Sequence, residues 1–166
     1  MQRLLREGHW GALRPGISRQ ALVKRLGQPT RWERSMAELQ ALRSGTPVAG
    51  WALSEVLVFG AVEFHFPEHP QGRCLRIFVD DLDALGSEPP LAVDRWVLKE
   101  GLPEAALRLH LDTAGLRYER TDFPPAPSQI RLMLESGVRI GLTDDLSFFE
   151  PGTEAAGHRL FCVEVA

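Results

Sequence analysis

The sequence has few cysteines and no long apolar run. Only two cysteines, Cys74 and Cys162, occur among its 166 residues, and both lie in strand-like segments. Because both cysteines lie in strand-like runs, we expect two buried free thiols. No stretch approaches the length of a membrane span, and the N-terminal segment lacks the apolar core and cleavage site of a secretion signal. These absences predict a cytoplasmic protein with no membrane partner.

The chain also lacks the short motifs that mark common enzymes. It has no Walker sequence, no Gly-x-Gly-x-x-Gly fingerprint and no Gly-x-Ser-x-Gly elbow. Neither cysteine stands at the start of a predicted helix, where the pKa of a thiol would be lowered. The carboxylate pairs Asp80-Asp81 and Asp144-Asp145 follow predicted strands, where charged residues normally enter solvent. We therefore predict no catalytic residues and no cofactor.

Neither a metal site nor a nucleic-acid interface is indicated. In the stretch "EFHFPEH", Glu63 and His65 share one strand face, and Glu68 and His69 follow, but no further fixed ligand is identifiable. The net charge is −3, with 19 Lys/Arg and 22 Asp/Glu interleaved along the chain. A nucleic-acid binder usually has a basic excess or stripe. We predict no bound metal and no nucleic-acid partner.

The best-defined predicted helix lies near the N-terminus and carries signals at both ends. Ser18 is a typical N-cap, and Ile17 before it is placed to pack on Leu22 inside the helix. Gly27, followed by Pro29, predicts the helix end, so the Gly-Gln-Pro stretch there is a terminator and not a ligand loop. The expected buried stripe is Leu22, Val23 and Leu26, and the expected outward residues are Arg19, Lys24 and Arg25.

Other helices and an antiparallel sheet follow from periodicity. Helices are predicted over 1–7 and 33–43, and a last one starts at Pro103 and ends at Gly115, with Ala106, Leu109 and Thr113 on one side and Leu107, Leu111 and Ala114 beside them. Gly60-Ala61 suits a type II′ hairpin turn, and Ser136-Gly137 is a second turn pair. Period-two alternation predicts strands over 55–59, 62–66, 75–79, 116–121, 130–134, 138–142 and 161–165.

This order of elements predicts an α+β fold with helices packed on an antiparallel sheet. A helix followed by a β-meander occurs in residues 1–85 and again in residues 86–166, which suggests two pseudo-repeated halves. Identities between the halves are few, so chance matching of two such units is the alternative. Each half alone is too short to bury a stable core, and we expect the two units to share one.

Two stretches resemble known bacterial proteins. "LRPGISRQALVKRLGQP" resembles the helix entry of small lipoprotein-like and β-lactamase-inhibitor-protein-like domains, in which helices cover one face of an antiparallel sheet. "VLVFGAVEFHF", followed by "LRIFVDD", is similar to a tryptophan, Tyr-Gly-Asp and Ile-Glu-Phe-His-Phe block of small bacterial proteins, including ones encoded beside toxin genes. Phe59 and Ala61 replace the Tyr and Asp of that block, and the inhibitor's disulfides are absent. The resemblance implies this fold first, and protein-binding or inhibitory function second.

Candidate binding surfaces come from aromatic residues outside the expected core and from acidic loops. Tryptophans at element ends either cover the core or anchor an interface. The Phe148-Phe149 pair either tucks under its loop or presents an apolar patch beside acidic residues that suit a basic partner. The wet face of the sheet, with Arg76, is another candidate surface. The partner-binding candidates are Trp51, Trp96, Phe148, Phe149, Asp144, Asp145, Glu63 and His65.

The sequence favours a non-catalytic, cytoplasmic, protein-binding protein of the bacterial immunity or inhibitor type, which blocks a partner such as a toxin by steric occlusion. One alternative is a small-ligand-binding protein or enzyme with a pocket between the two halves, in which His65 and Glu63 are the polar groups. Another is a homodimeric scaffold that pairs through an exposed strand edge, with the C-terminal strand as the candidate edge.

Overall fold

The fold combines helices with one antiparallel sheet. The computed structural model describes residues 1–33, 36–45, 50–67, 69, 71–85, 91, 94–123, 126, 128–149 and 157–166. Over these ranges it contains four α-helices, namely α1 (Gln2–Glu7), α2 (Arg19–Leu26), α3 (Met36–Arg43) and α4 (Glu104–Thr113), and a 3-10 turn at Leu146–Phe148. The strands are β1 (Arg31–Glu33), β2 (Val56–Phe59), β3 (Val62–His65), β4 (Arg76–Val79), β5 (Tyr118–Asp122), β6 (Gln129–Leu134), β7 (Val138–Thr143) and β8 (Arg159–Val165).

The predicted boundaries of the first two helices are confirmed. The Ser18 side chain accepts a hydrogen bond from the Ala21 backbone N–H at 3.2 Å, which satisfies one donor of the first turn. Gly27 ends α2 at a φ of 83°, and its N–H donates to the Val23 carbonyl at 2.9 Å. Gly8 ends α1 in the left-handed conformation, with a φ of 73°. The Gly27 stretch is therefore a helix terminator, as the sequence predicts.

All eight strands belong to one sheet, in the order β1-β2-β3-β4-β8-β7-β6-β5, and every neighbouring pair is antiparallel. Strands β1 to β4 form one meander and β5 to β8 form another, and pairing between β4 and β8 joins the two. The mixed α+β class is therefore confirmed. The prediction that the C-terminal strand is an exposed edge is wrong, because Val163 of β8 pairs with both Val79 and Ile140.

The two faces of this sheet have different surroundings. The largest buried cluster joins strand residues such as Phe64 and Ile77 to Leu4, Leu22 and Leu107 of the helices. Directly opposite residues on neighbouring strands share a face of a sheet. A row on the other face crosses the sheet through these registered residues, and we call their side the outer face: Val58, Glu63, Phe78, Glu164, Arg139 and Met133.

The structure corrects the predicted orientation of Arg19 and leaves two leucines exposed. Arg19 is only 2% exposed, although we expected it to point outward. It precedes Leu22 by three positions and so lies on the buried side of α2, where its guanidinium finds backbone acceptors. Leu109 is 65% exposed because it lies opposite the buried pair Leu107 and Leu111 of α4. Leu75 is exposed as well, since it precedes β4.

Strand β1 is absent from the sequence-based prediction. Its three residues, Arg31 to Glu33, are all exposed, so they carry no alternation of buried and exposed positions. We expected a helix from residue 33, whereas α3 begins at Met36. What holds β1 is backbone pairing with β2, in which Trp32 lies opposite Leu57.

Candidate functional site

A chain of polar side chains crosses the outer face, beginning with Glu63 and His65 of β3. The two side chains lie on the same face, as predicted, with 3.0 Å between His65 Nε2 and Glu63 Oε2. An Arg76 guanidinium nitrogen lies 3.1 Å from His65 Nδ1, which makes Nδ1 the acceptor and Nε2–H the donor to Glu63. Burial, and then the positive charge of Arg76, lower the pKa of His65 below its usual value.

The chain continues through Glu164 at the centre of the sheet. One carboxylate oxygen of Glu164 lies 3.3 Å from Arg139 Nη1 and 3.9 Å from Arg76 Nη1. The Glu164 side chain is only 10% exposed, so these ion pairs are partly shielded from water. At the other end, Arg31 lies 3.7 Å from Glu63. We call the six residues the outer-face charge chain: Arg31, Glu63, His65, Arg76, Glu164 and Arg139.

Three neighbouring clefts line the outer face. One of about 170 Å³, which we call the junction cleft, is lined by Arg76 and Phe78 of β4 together with Arg131, Arg139 and Glu164 of later strands. A cleft of about 480 Å³ shares Phe78 and Phe161 with it. A third, of about 390 Å³, shares Arg31, Asp80 and Asp81 with the second. The clefts therefore form a continuous trough across the sheet.

Aromatic rings occupy the middle of this trough. Phe148 is 46% exposed, and its ring centroid lies 5.5 Å from that of Phe161. Phe161 sits at the register shift in the β7–β8 pair, and a side chain on Gly141 would lie within 3.0 Å of its ring. Gly141 therefore makes room for the Phe161 ring. Phe78 contacts the His65 ring edge to face at 6.1 Å. Phe148 presents an apolar surface here, one of the two alternatives predicted for its loop.

The structure places the other predicted candidates apart from the charge chain. Trp51 and Trp96 are half-buried and pack against the main core, which fits the alternative that they cover its ends. The Trp96 ring lies 6.2 Å from that of His110 on α4. Phe149 is half-buried, beside Gly101.

The acidic pair after β7 shapes a turn. Asp144 and Asp145 are exposed, and Asp145 Oδ1 accepts a hydrogen bond from the Ser147 backbone N–H at 3.0 Å. Hydrogen bonds from Ser147, its side chain first, lower the pKa of Asp145. Two further acidic residues follow in the sequence after Phe149, and the sequence predicts that they extend the acidic surface of this loop. These residues, Glu150 and Glu154, lie outside the described residues.

Candidate metal ligands and the two thiols are the remaining groups that could carry chemistry. In the described ranges, no group of three or more His, Cys, Asp or Glu side chains is arranged to hold a metal ion, and Glu68 lies outside those ranges. Both cysteines are free and buried, as predicted. Burial raises the pKa of Cys74 to about 11 and that of Cys162 to about 12. The thiols are therefore kept in the unreactive, protonated form.

This burial predicts slow thiol chemistry. At pH 8, a pKa of about 11 leaves about one Cys74 in a thousand as thiolate, and Cys162 has still less. We expect Ellman's reagent to label neither cysteine of the folded protein within minutes and both in 6 M guanidinium chloride. Rapid release of one equivalent of chromophore from the folded protein would contradict this expectation.

Several residues of the site escaped sequence reasoning. Arg139 and Glu164 lie between buried positions of predicted strands, so alternation alone assigns them to the same wet face as Glu63. That signal was present in the sequence. The sequence does not indicate the ion pair between Glu164 and Arg76, because that contact depends on the pairing of β4 with β8, which joins the two meanders.

Comparison of the chain with protein families, with curated proteins and with solved structures finds no match. Among the described residues, no helix is both long and apolar enough to span a bilayer.

Proposed function

We propose that this chain is a non-catalytic, protein-binding protein of the immunity or inhibitor type, and that its outer face covers a partner and blocks it sterically. The observation that carries this proposal is the outer-face charge chain with exposed Phe148 beside it. The ion pairs hold the charged side chains in place, and aromatic rings line the trough between them. A binding surface that is ordered in this way before association loses less conformational entropy on binding.

The length of the outer-face charge chain favours a protein partner. From Arg31 on β1 to Arg139 on β7 it crosses six neighbouring strands. At about 4.8 Å between strands this is about 24 Å, close to the width of a standard protein–protein interface. A small molecule would cover only one of the three clefts.

The charges are unevenly divided along the trough, and this division indicates what the partner offers. The end lined by Arg31 also carries Glu63, Asp80, Asp81 and Glu100. The junction cleft carries three arginines and one glutamate. We propose a partner with a basic patch over the first region, as a nuclease toxin would have, and acidic side chains over the second.

We also propose the finer architecture in which helices cover the face opposite the trough and the chain consists of two related halves, 1–85 and 86–166. The helical leucines in the main core support the first part. The second is supported by the succession of α2 and a four-stranded meander, then α4 and another. In this arrangement the trough lies across the junction of the halves, so that both bind one partner. The cytoplasm is the proposed compartment.

A matched pair of variants tests the binding surface. Phe148→Asp places a charge in the trough, and Leu109→Asp makes the same change at a 65% exposed apolar position on α4. We expect the tagged wild type and Leu109→Asp to capture the same protein from a lysate of the native host. We expect Phe148→Asp to bind that protein, once purified, at least tenfold more weakly, since a central aromatic contact is lost.

Two results would contradict the proposal: equal affinity of both variants, or an interface mapped by hydrogen exchange to the helices. Capture of nothing except further copies of this chain would support the homodimeric scaffold instead. Circular dichroism and urea unfolding of both variants separate lost binding from lost folding.

A second candidate function is binding of a small ligand between the halves. The junction cleft favours it, because Arg76 comes from the first half and Arg131 and Arg139 come from the second. The predicted polar groups, Glu63 and His65, are not among the residues that line this cleft, although His65 contacts Arg76. Saturable binding of a small carboxylate, lost in Arg131→Ala, would favour this function over protein binding.

A further inference from the structure

Charge is distributed less evenly along the chain than its interleaved appearance suggests. Residues 1–32 contain seven Lys or Arg and one Glu, a net charge of +6. The remaining residues contain 12 Lys or Arg and 21 Asp or Glu, a net charge of −9. The chain is acidic as a whole, but its first 32 residues are basic, so the position of these positive charges in the fold is of interest.

Part of this positive charge gathers in a cleft away from the outer face. The cleft has a volume of about 540 Å³ and is lined by Arg14, Arg25 and Arg73 together with Gly11, Gly16 and Ser18. We call it the basic cleft. No Asp or Glu lines it, and in the described part of the chain none of the three guanidinium groups has a carboxylate within 4.0 Å.

The backbone that borders the basic cleft is held in place. The Gly16 N–H donates to the Cys74 carbonyl at 2.7 Å, and the Cys74 N–H donates to the Ile17 carbonyl at 2.8 Å. Arg73 donates from Nη1 to the Gly16 carbonyl at 3.0 Å, which fixes one side of its guanidinium. Gly11 and Gly16 have positive φ, and no atom lies within 4 Å of where their Cβ would be. The wall is thus ordered and leaves room for close approach.

These features suit one class of ligand. Three arginines line the cleft without a carboxylate, and this concentration of positive charge attracts a multivalent anion more strongly than a monovalent one. Guanidinium forks match the geometry of phosphate oxygens. The volume lies within the usual range for small-molecule sites. We propose that the basic cleft binds a small molecule that carries at least two phosphate groups. This site is independent of the outer face and of the function proposed for it.

Calorimetry with pyrophosphate tests the site directly. We expect saturable, one-to-one binding of pyrophosphate to the full chain at pH 7.5 in 150 mM NaCl. Arg25→Glu and, separately, Arg14→Glu should each weaken that binding at least tenfold, because each replaces an attractive charge by a repulsive one. Arg117→Glu is the matched control, since Arg117 is 82% exposed and lies away from the cleft. It should leave the affinity unchanged.

Three outcomes would overturn the inference. They are absence of saturable binding up to 10 mM pyrophosphate, equal weakening by the Arg117→Glu control, and retention of wild-type affinity in both cleft variants. A fourth arm distinguishes the source of the phosphate. If a 12-nucleotide single-stranded DNA binds and pyrophosphate does not displace it, the surface is a nucleic-acid site and the small-molecule proposal is wrong. Urea unfolding of each variant confirms that the folded state is being compared.

Discussion

Replacement of Arg19 by leucine is expected to lower the free energy of unfolding by about 3–5 kcal/mol, because hydrogen bonds from a charged donor and a cation–π contact are lost. The Arg19 guanidinium is buried and donates hydrogen bonds to the carbonyl oxygens of Ser54, Pro67 and His69 at 2.8, 2.8 and 2.9 Å. Leucine fills part of the volume but donates no hydrogen bond. The Pro67 and His69 carbonyls keep the backbone N–H groups of His69 and Gly72, whereas the Ser54 carbonyl loses its Arg19 donor, at about 1–3 kcal/mol. The guanidinium also lies 4.4 Å from the centroid of the Phe66 ring, and this contact is lost too.

Urea unfolding followed by circular dichroism measures the loss. Arg25→Leu makes the same substitution at an exposed position of the same helix and should change the free energy of unfolding by less than about 0.5 kcal/mol. Arg19→Lys keeps the charge but not the planar fork, so it should fall between the two. A loss below 1 kcal/mol in Arg19→Leu would mean that the buried hydrogen bonds contribute little.

Replacement of Gly8 by alanine is the second substitution with a large expected effect, a loss of about 2–5 kcal/mol in the free energy of unfolding. Gly8 ends α1 with a φ of 73°, where any Cβ costs about 1–2 kcal/mol. A Cβ there would also lie 2.5 Å from the Ser136 backbone oxygen, so either α1 or the β6–β7 turn must move, at a further 1–3 kcal/mol or so. The Ser136 hydroxyl donates to the Leu5 carbonyl at 2.6 Å, and this movement would break that hydrogen bond.

Gly115 provides the control that separates the two costs. It follows α4 with a φ of 66°, and nothing lies within 4 Å of its Cβ position. Gly115→Ala should therefore lower the free energy of unfolding by about 1–2 kcal/mol, the backbone cost alone. If both alanine variants lose the same free energy of unfolding, then α1 and the Ser136 turn move apart without an energetic penalty, and the predicted clash is wrong. Thermal unfolding of both variants in one buffer makes the comparison.

Local signals in the sequence were sufficient for most of the secondary structure. The Ser18 cap, the Gly27 terminator and the Gly60 turn each depend on neighbours in sequence, and each is found where predicted. Burial was harder to predict from residue type. Arg19 looks like a surface residue by chemistry, whereas its position three residues before Leu22 puts it inside. In that case the helical period was the better guide.

The candidate site was only partly predictable, because it is built from long-range pairing. Alternation places Glu63 and His65 on one wet strand face, and the structure does the same. Nothing local indicates that Arg76 would meet Glu164 from the far end of the chain. That contact requires β4 and β8 to be neighbours, and no spacing or propensity specifies such a pairing. Trp51 and Trp96 are large amphipathic side chains, and such a side chain suits both the edge of a hydrophobic core and a protein–protein interface. Residue type alone therefore does not distinguish the two positions.

The central position of β8 has a consequence for how the protein is made. During synthesis the meander of β1 to β4 emerges before β8, so one edge of the β4 backbone has no partner until β5 to β8 have followed it. Such an open edge is a template for pairing with other chains. This edge stays open until β8 has been synthesised and has paired with β4. A chain truncated before β8 would lose the strand that pairs with both β4 and β7, and the unpaired edges of those two strands would be open to pairing with other chains.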